Sequence, residues 1–140
     1  MALLGKQADR ALVAAERAVV LKPHALVPRL LAGRALLTLK RPAESLEHLG
    51  LAASLDQATP DSRLWMGRAL RGLRRNAQAA AFHAHTLDRF PDEHRVYYDR
   101  ALALWSMGER EAARASIAGA IDLAPKNTSY VNRLMAWGDS

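Results

Sequence analysis

Leu30-Leu31-Ala32-Gly33-Arg34-Ala35-Leu36 and Leu64-Trp65-Met66-Gly67-Arg68-Ala69-Leu70 share their Gly-Arg-Ala-Leu core at an interval of thirty-four residues. One more step lands on Tyr98-Asp99-Arg100-Ala101-Leu102-Ala103-Leu104, where Ala101 takes the glycine's place and Leu104 follows Leu36 and Leu70. Pro91 and Pro125 keep the interval, and further back the same phase falls on Gln57 and Pro23. Ala18, Ala52 and Ala120 share a phase whose other member is Thr86. Small and large residues that recur in phase without gaps mark one supersecondary unit copied along the chain.

Working outward, composition agrees with a helical unit. Ala and Leu dominate, both are strong helix formers, and aromatics amount to only 6% of the 140 residues. Six Pro and eight Gly recur at intervals without forming a linker. Half apolar content with 24% charged residues excludes global disorder. Zero Cys excludes disulfides, thiolate metal sites and thiol catalysis. No apolar run approaches the roughly 20 residues of a membrane span, so no membrane insertion is expected and a soluble, cytoplasmic chain is.

Within each unit the pattern predicts two helices. The first of the 60–93 unit runs over about 60–73, with Leu64, Trp65, Met66, Leu70 and Leu73 at helical spacing. Thr59 is placed to cap it, with Pro60 in the first turn. Asn76 is placed to cap the second helix, which carries Ala79, Ala80, Phe82, Thr86 and Leu87; Asp92 is placed to cap the next first-type helix. Neither helix buries its apolar stripe alone, so neighbouring pairs must stack. The expected units are 26–59, 60–93 and 94–127. They are preceded by a half repeat over 1–25, with a second-type helix at about 8–21, and followed by a capping helix within 128–140. A half repeat at the start points to a piece of a longer array or an atypical cap.

This pattern resembles the tetratricopeptide repeat (TPR). The family's Leu-Gly pair corresponds to Ala32-Gly33, Met66-Gly67 and Arg100-Ala101, and the aromatic that follows it is replaced by Leu36, Leu70 and Leu104. The second-helix positions read Ala11, Ala15, Ala18; Ser45, Leu49, Ala52; Ala79, His83, Thr86; and Ala113, Ile117, Ala120. Gly108 occupies the family's inter-helix glycine, while Lys40 and Arg74 replace it in the earlier units. The resemblance implies an all-α, right-handed solenoid of antiparallel helix pairs in a single 1–140 domain.

Catalytic chemistry finds no foothold. His83 and His85 lie two apart on a helix and point about 200° from one another, so they cannot chelate one ion; no metal or other cofactor is expected. Glu109/Glu111 and Asp92/Glu93 fall at helix starts, where carboxylates offset the macrodipole. No phosphate-binding loop or nucleophile elbow occurs. The chain is read as a non-enzyme.

Charge is more informative. The net +6 is spread along the chain, with no unit above +2, which argues against a basic tail. Arg63, Arg68, Arg71, Arg74 and Arg75 nevertheless fall in a stretch that has no acidic residue from Ser62 to Leu87. Arg68, Arg71 and Arg75 share one helix face.

The TPR resemblance implies a groove lined by first helices: Leu30, Arg34 and Leu37; Leu64, Arg68 and Arg71; Arg95, Tyr98, Leu102 and Trp105; and Asn132. Arg34 and Arg68 would stack one above the other. Tyr98 and Trp105 have a competing role as packing residues. The family's chaperone-tail clamp maps onto Leu30, Arg34, Trp65, Arg95 and Asp99, of which only Arg95 is apt and Asp99 has the wrong sign. A chaperone-tail adaptor is not expected. The leading expectation is a scaffold that binds a protein or peptide of acidic character in this groove. Two alternatives stand: a structural segment of a larger enzyme or secretion assembly that self-associates through open ends, and a nucleic-acid-binding repeat. A pI near 10.3 and 16 Arg against 4 Lys support the latter. The scarcity of aromatics among the basic residues opposes it.

Overall fold

The computed structural model describes residues 2–138. Every regular element among them is an α-helix. The helices sort into two compact units, Met1–Arg75 and Asn76–Ser140. The division falls at the turn between the two helices expected of the 60–93 repeat.

The first unit holds α1 (Ala2–Leu21), α2 (Leu26–Thr38), α3 (Pro42–Leu55) and α4 (Asp61–Gly72). Helix α2 packs on α1, α3 and α4, and α3 also packs on α4. Leu12 and Ala15 of α1 close on Ala32, Ala35 and Leu36 of α2, with Leu39 against them. Gly33 lies beneath the fully buried Leu49: a methyl group at Gly33 would fall inside the contact distance of that leucine. The buried Ser45 hydroxyl adds a tie by donating to the Gly33 carbonyl at 2.9 Å. Small residues at this phase therefore let two helices close on one large side chain.

The second unit holds α5 (Asn76–Arg89), α6 (His94–Ser106), α7 (Arg110–Leu123) and α8 (Thr128–Trp137). Helix α6 packs on α5 and α7, and α7 on α8. Ala101, Ala103, Ala113, Ile117 and Ala120 are wholly buried. Ser116 donates to the Tyr97 carbonyl at 2.8 Å, and the Tyr97 ring covers Gly119 so closely that a Cβ there would sit 2.9 Å from it.

The turns inside the helix pairs repeat at the period of the sequence. Lys40, Arg74 and Gly108 adopt φ of 60°, 61° and 82°. After each, an amide reaches back to a carbonyl five residues earlier: Arg41 to Leu36 at 2.8 Å, Arg75 to Leu70 at 3.0 Å, Glu109 to Leu104 at 3.0 Å. A left-handed residue with this 6→1 bond satisfies carbonyls that the helix end orphans. Glycine takes that conformation at no steric cost, whereas lysine and arginine are strained in it.

Several local expectations are corrected. Helix α1 begins at Ala2 rather than near residue 8, because strong helix formers surround Gly5 and no proline interrupts the start. Of the expected packed positions of α1, Ala15 is buried, Ala18 is half-buried and Ala11 is exposed; Ala8 and Leu12 are buried beside Ala15. Asp92 does not cap α6: Glu93 does, its side chain accepting from the Arg95 amide. Before α4, Pro60 holds the cap position without a side-chain bond of its own, and the expected Thr59 serves from one residue earlier, its hydroxyl accepting from the Asp61 amide at 3.4 Å. Thr59 is itself held by the buried Asp56, whose carboxylate accepts from the Thr59 amide at 3.1 Å, the Thr59 hydroxyl at 2.6 Å and the Ser62 hydroxyl at 3.4 Å. Asn127, which the sequence reading passed over, caps α8 by accepting from the Ser129 and Tyr130 amides.

Candidate functional site

In the first unit the candidate surface centres on Trp65. It is a half-buried residue of α4, and α2 brings Arg34 to it from the neighbouring helix. The Arg34 guanidinium carbon lies 4.7 Å from the Trp65 ring centroid. Arg68, one turn along α4, places its own at 4.6 Å. Arg34 and Arg68 are thus brought together as their shared repeat phase predicts, and Trp65 is the platform that the phase argument did not include. Attraction between a cation and the ring face holds each long side chain in place. A stacked guanidinium still presents an N–H edge, the fork geometry that matches a carboxylate.

A cleft of about 250 Å³ opens beside this cluster, lined by Gln7, Ala8 and Ala11 of α1, Leu31, Arg34 and Thr38 of α2, and Trp65. Leu31 is 44% exposed and supplies an apolar wall. Leu30 and Leu37 are half-buried; Leu37 lines a second cleft of about 260 Å³ with Lys40, Pro42 and Gly72. Arg71 is half-buried, and its Nε is buried without a hydrogen-bond partner. Leu64 does not belong to the surface. It is wholly buried, so the expectation that it lines a groove is corrected: it is core.

In the second unit the expected residues are largely engaged with one another. Tyr98 stacks on Tyr130 of α8, with ring centroids 4.7 Å apart, and its hydroxyl accepts from Arg133 Nε at 3.3 Å. Tyr130 in turn shares a 2.7 Å hydrogen bond with His94 Nδ1. Trp105 lies parallel to Trp137, with centroids 4.4 Å apart, and Arg110 and Arg114 stand over its ring. These aromatics hold α8 onto α6, the packing role that competed with a groove role in the sequence. Both pairs are thirty-two residues apart rather than thirty-four, so the repeat phase alone could not show them. Leu102 is half-buried, and the exposed Asn132 joins Tyr98, Ser129, Arg133 and Ala136 around a cleft of about 390 Å³.

Arg95 is already paired. Its Nε donates to Glu93 Oε1 at 2.7 Å. Burial raises the Glu93 carboxyl, but the hydrogen bond and charge of Arg95 outweigh it and hold the group below its ordinary value. Asp99, the residue of wrong sign in the clamp comparison, is buried rather than presented to a ligand.

Among the described residues, no cluster of three His, Asp or Glu is placed to hold a metal ion, and no helix is long and apolar enough to cross a membrane. Among the described residues two tryptophans each carry a pair of guanidiniums, Trp65 with Arg34 and Arg68 and Trp105 with Arg110 and Arg114; the Trp65 pair joins residues of one repeat phase from two helices.

Residues 94–127 match the tetratricopeptide repeat family model. Among curated proteins, none matches the chain in sequence. Among solved structures, TTC0263, a thermophilic TPR protein of Thermus thermophilus, superposes with a TM-score of 0.83 at 21% identity, over 94% of this chain and 73% of that one. YrrB, described as a TPR protein with an unusual peptide-binding site, gives 0.82 at 19% identity, over 94% and 68%. MamA from Desulfovibrio magneticus RS-1 gives 0.79 at 18% identity, over 93% and 73%. The chain therefore carries a tetratricopeptide repeat at 94–127 and has the all-α solenoid fold of TPR proteins.

Proposed function

We propose that the protein is a non-catalytic scaffold that binds an acidic peptide or helix on the surface formed by its first-type helices, with Arg34 and Arg68 as the anion-recognising pair. The observation that carries this reading is the placement of both guanidiniums against Trp65, beside an apolar-walled cleft. Side chains held by a ring lose less rotamer freedom on binding than free arginines, so more of the interaction appears as affinity. Leu31 and Trp65 supply apolar burial, and the cations supply orientation. The peptide-binding site named for YrrB supports the class of ligand by analogy alone.

The test is capture from an array of acidic and neutral peptides by wild type and by the Arg34→Glu/Arg68→Glu variant. Wild type should retain acidic peptides with a shallow salt dependence, and the variant should lose them while keeping its far-UV helical signal. Retained capture by the folded variant refutes the assignment. A steep salt slope with single-stranded nucleic acid, spread over many phosphates, would instead favour the nucleic-acid reading.

A further inference from the structure

The turns that follow α2 and α4 carry charges that their backbone does not favour. Each helix-pair turn puts one residue in the left-handed region, at Lys40, Arg74 and Gly108. Glycine meets that demand without strain, yet both turns of the first unit place a long cation there. A second cation follows in each, Arg41 and Arg75, where the third turn has Glu109. Cations near a helix C-terminus offset its macrodipole. Arg41 and Arg75 already serve both ends in that way, so helix electrostatics does not account for Lys40 and Arg74. Arg41 is committed to Glu44, its Nε donating to the carboxylate at 2.8 Å. Lys40, Arg74 and Arg75 are exposed, and none of them forms an ion pair with another of the described residues. Between the two turns lies a notch. Helices α2 and α4 pack on one another, so their ends stand about 10 Å apart. The cleft of about 260 Å³ there has Leu37 and Pro42 as apolar walls, with Lys40 and the bare Gly72 completing it. A Cβ at Gly72 would come within 3.2 Å of Pro42 Cβ and 3.9 Å of Leu37 Cδ2, so the missing side chain keeps the cleft open. Arg74 follows Gly72 by two residues, a span of at most about 7 Å.

We propose that this notch docks an extended acidic segment of a partner protein, with one apolar side chain in the cleft and a carboxylate on either side of it. Lys40 holds one carboxylate, and Arg74 with Arg75 holds the other. The strain at Lys40 and Arg74 is then the cost of keeping cations at the two rims of the cleft. Extended backbone fits the spacing. Side chains two residues apart share a face, so acids two before and two after the apolar residue lie about 13 Å apart on its side. The long lysine and arginine side chains reach outward to meet them. Charge and shape together select this occupant. A flat bilayer surface would meet only the turn tips and leave the cleft empty. A nucleic-acid strand relies on aromatic platforms for its bases, and no aromatic residue lines this cleft. The edge shares no residue with the Arg34–Trp65–Arg68 cluster, so the two readings are independent.

Amide NMR titration with an end-capped Glu-Ser-Leu-Ser-Glu peptide tests it, performed in the Arg34→Glu/Arg68→Glu background so that only the turn edge is read. Shifts should centre on Leu37 to Arg41 and Gly72 to Arg75. Peptides with both acids changed to glutamine, or with the leucine changed to serine, should bind more weakly. Adding Lys40→Gly and Arg74→Gly should raise the melting temperature yet weaken binding by about tenfold, the equivalent of two exposed ion pairs. A higher melting temperature with unchanged binding would mean that the two cations have no docking role and would refute the proposal. Equal binding of the glutamine peptide, or no shift at the turns, would also overturn it. So would phosphatidylserine vesicles or single-stranded RNA that bind through Lys40 and Arg74 while the peptide leaves them unshifted.

Discussion

Replacing Gly33 by alanine puts the close approach of α2 and α3 to a quantitative test. Taken alone, the change favours the helix by about 1 kcal/mol, since glycine is the poorer helix former. The structure opposes that gain. The new methyl falls within contact distance of Leu49 Cγ and Cδ2, and Leu49 is wholly buried. Overpacking of this kind costs about 1–3 kcal/mol, and a clash with two atoms of a branched side chain belongs at the upper end. The net expectation is a loss of about 2 kcal/mol, or roughly 8 °C in Tm at about 4 °C per kcal/mol. Gly50→Ala is the control. It lies in α3 with nothing near the added carbon, so it should stabilise by up to about 1 kcal/mol. A double-mutant cycle with Leu49→Ala sharpens the test. Truncating Leu49 alone should cost about 2–5 kcal/mol, but in the Gly33→Ala background the clash vanishes and the added methyl fills part of the cavity. The double variant should therefore cost about 3 kcal/mol less than the sum of the singles, because the whole clash is removed while the helix gain remains, read by urea unfolding followed by circular dichroism. If Gly33→Ala stabilises as Gly50→Ala does, or the cycle is additive, the assigned packing is wrong.

Other consequences are simpler to check. Lys40→Gly and Arg74→Gly relieve left-handed residues and should each raise stability by about 1 kcal/mol in thermal melts, whereas Gly108→Ala should lower it. Stability should fall on acidification from about pH 6.5 downward, in part through His48. Burial, and then the charge of Arg29, hold its imidazole below the ordinary value, so the folded chain binds fewer protons than the unfolded one there. Denaturation midpoints taken between neutral and acid pH should show a smaller acid loss in His48→Gln than in wild type; equal losses would refute the assignment.

Periodicity along the chain determined much of this protein by itself. Helix propensity, turn chemistry and the phase of small residues are properties of local sequence, so the thirty-four-residue step was enough to predict helices in these segments and to single out Lys40, Arg74 and Gly108 as equivalent. It also set Arg34 and Arg68 at one phase. What phase does not carry is which neighbour covers a given side chain. Leu30, Leu64 and Tyr98 are equivalent in the repeat, yet Leu64 is wholly buried, Leu30 is half-buried and Tyr98 is stacked on a ring of α8. Asp56 gathers three hydrogen bonds that no spacing rule anticipates. The Tyr98–Tyr130 and Trp105–Trp137 stacks run out of phase with the repeat. Helical phase sets the direction in which a side chain leaves its own axis, whereas burial and pairing depend on the distance and tilt of the next helix, and only packing in three dimensions decides those.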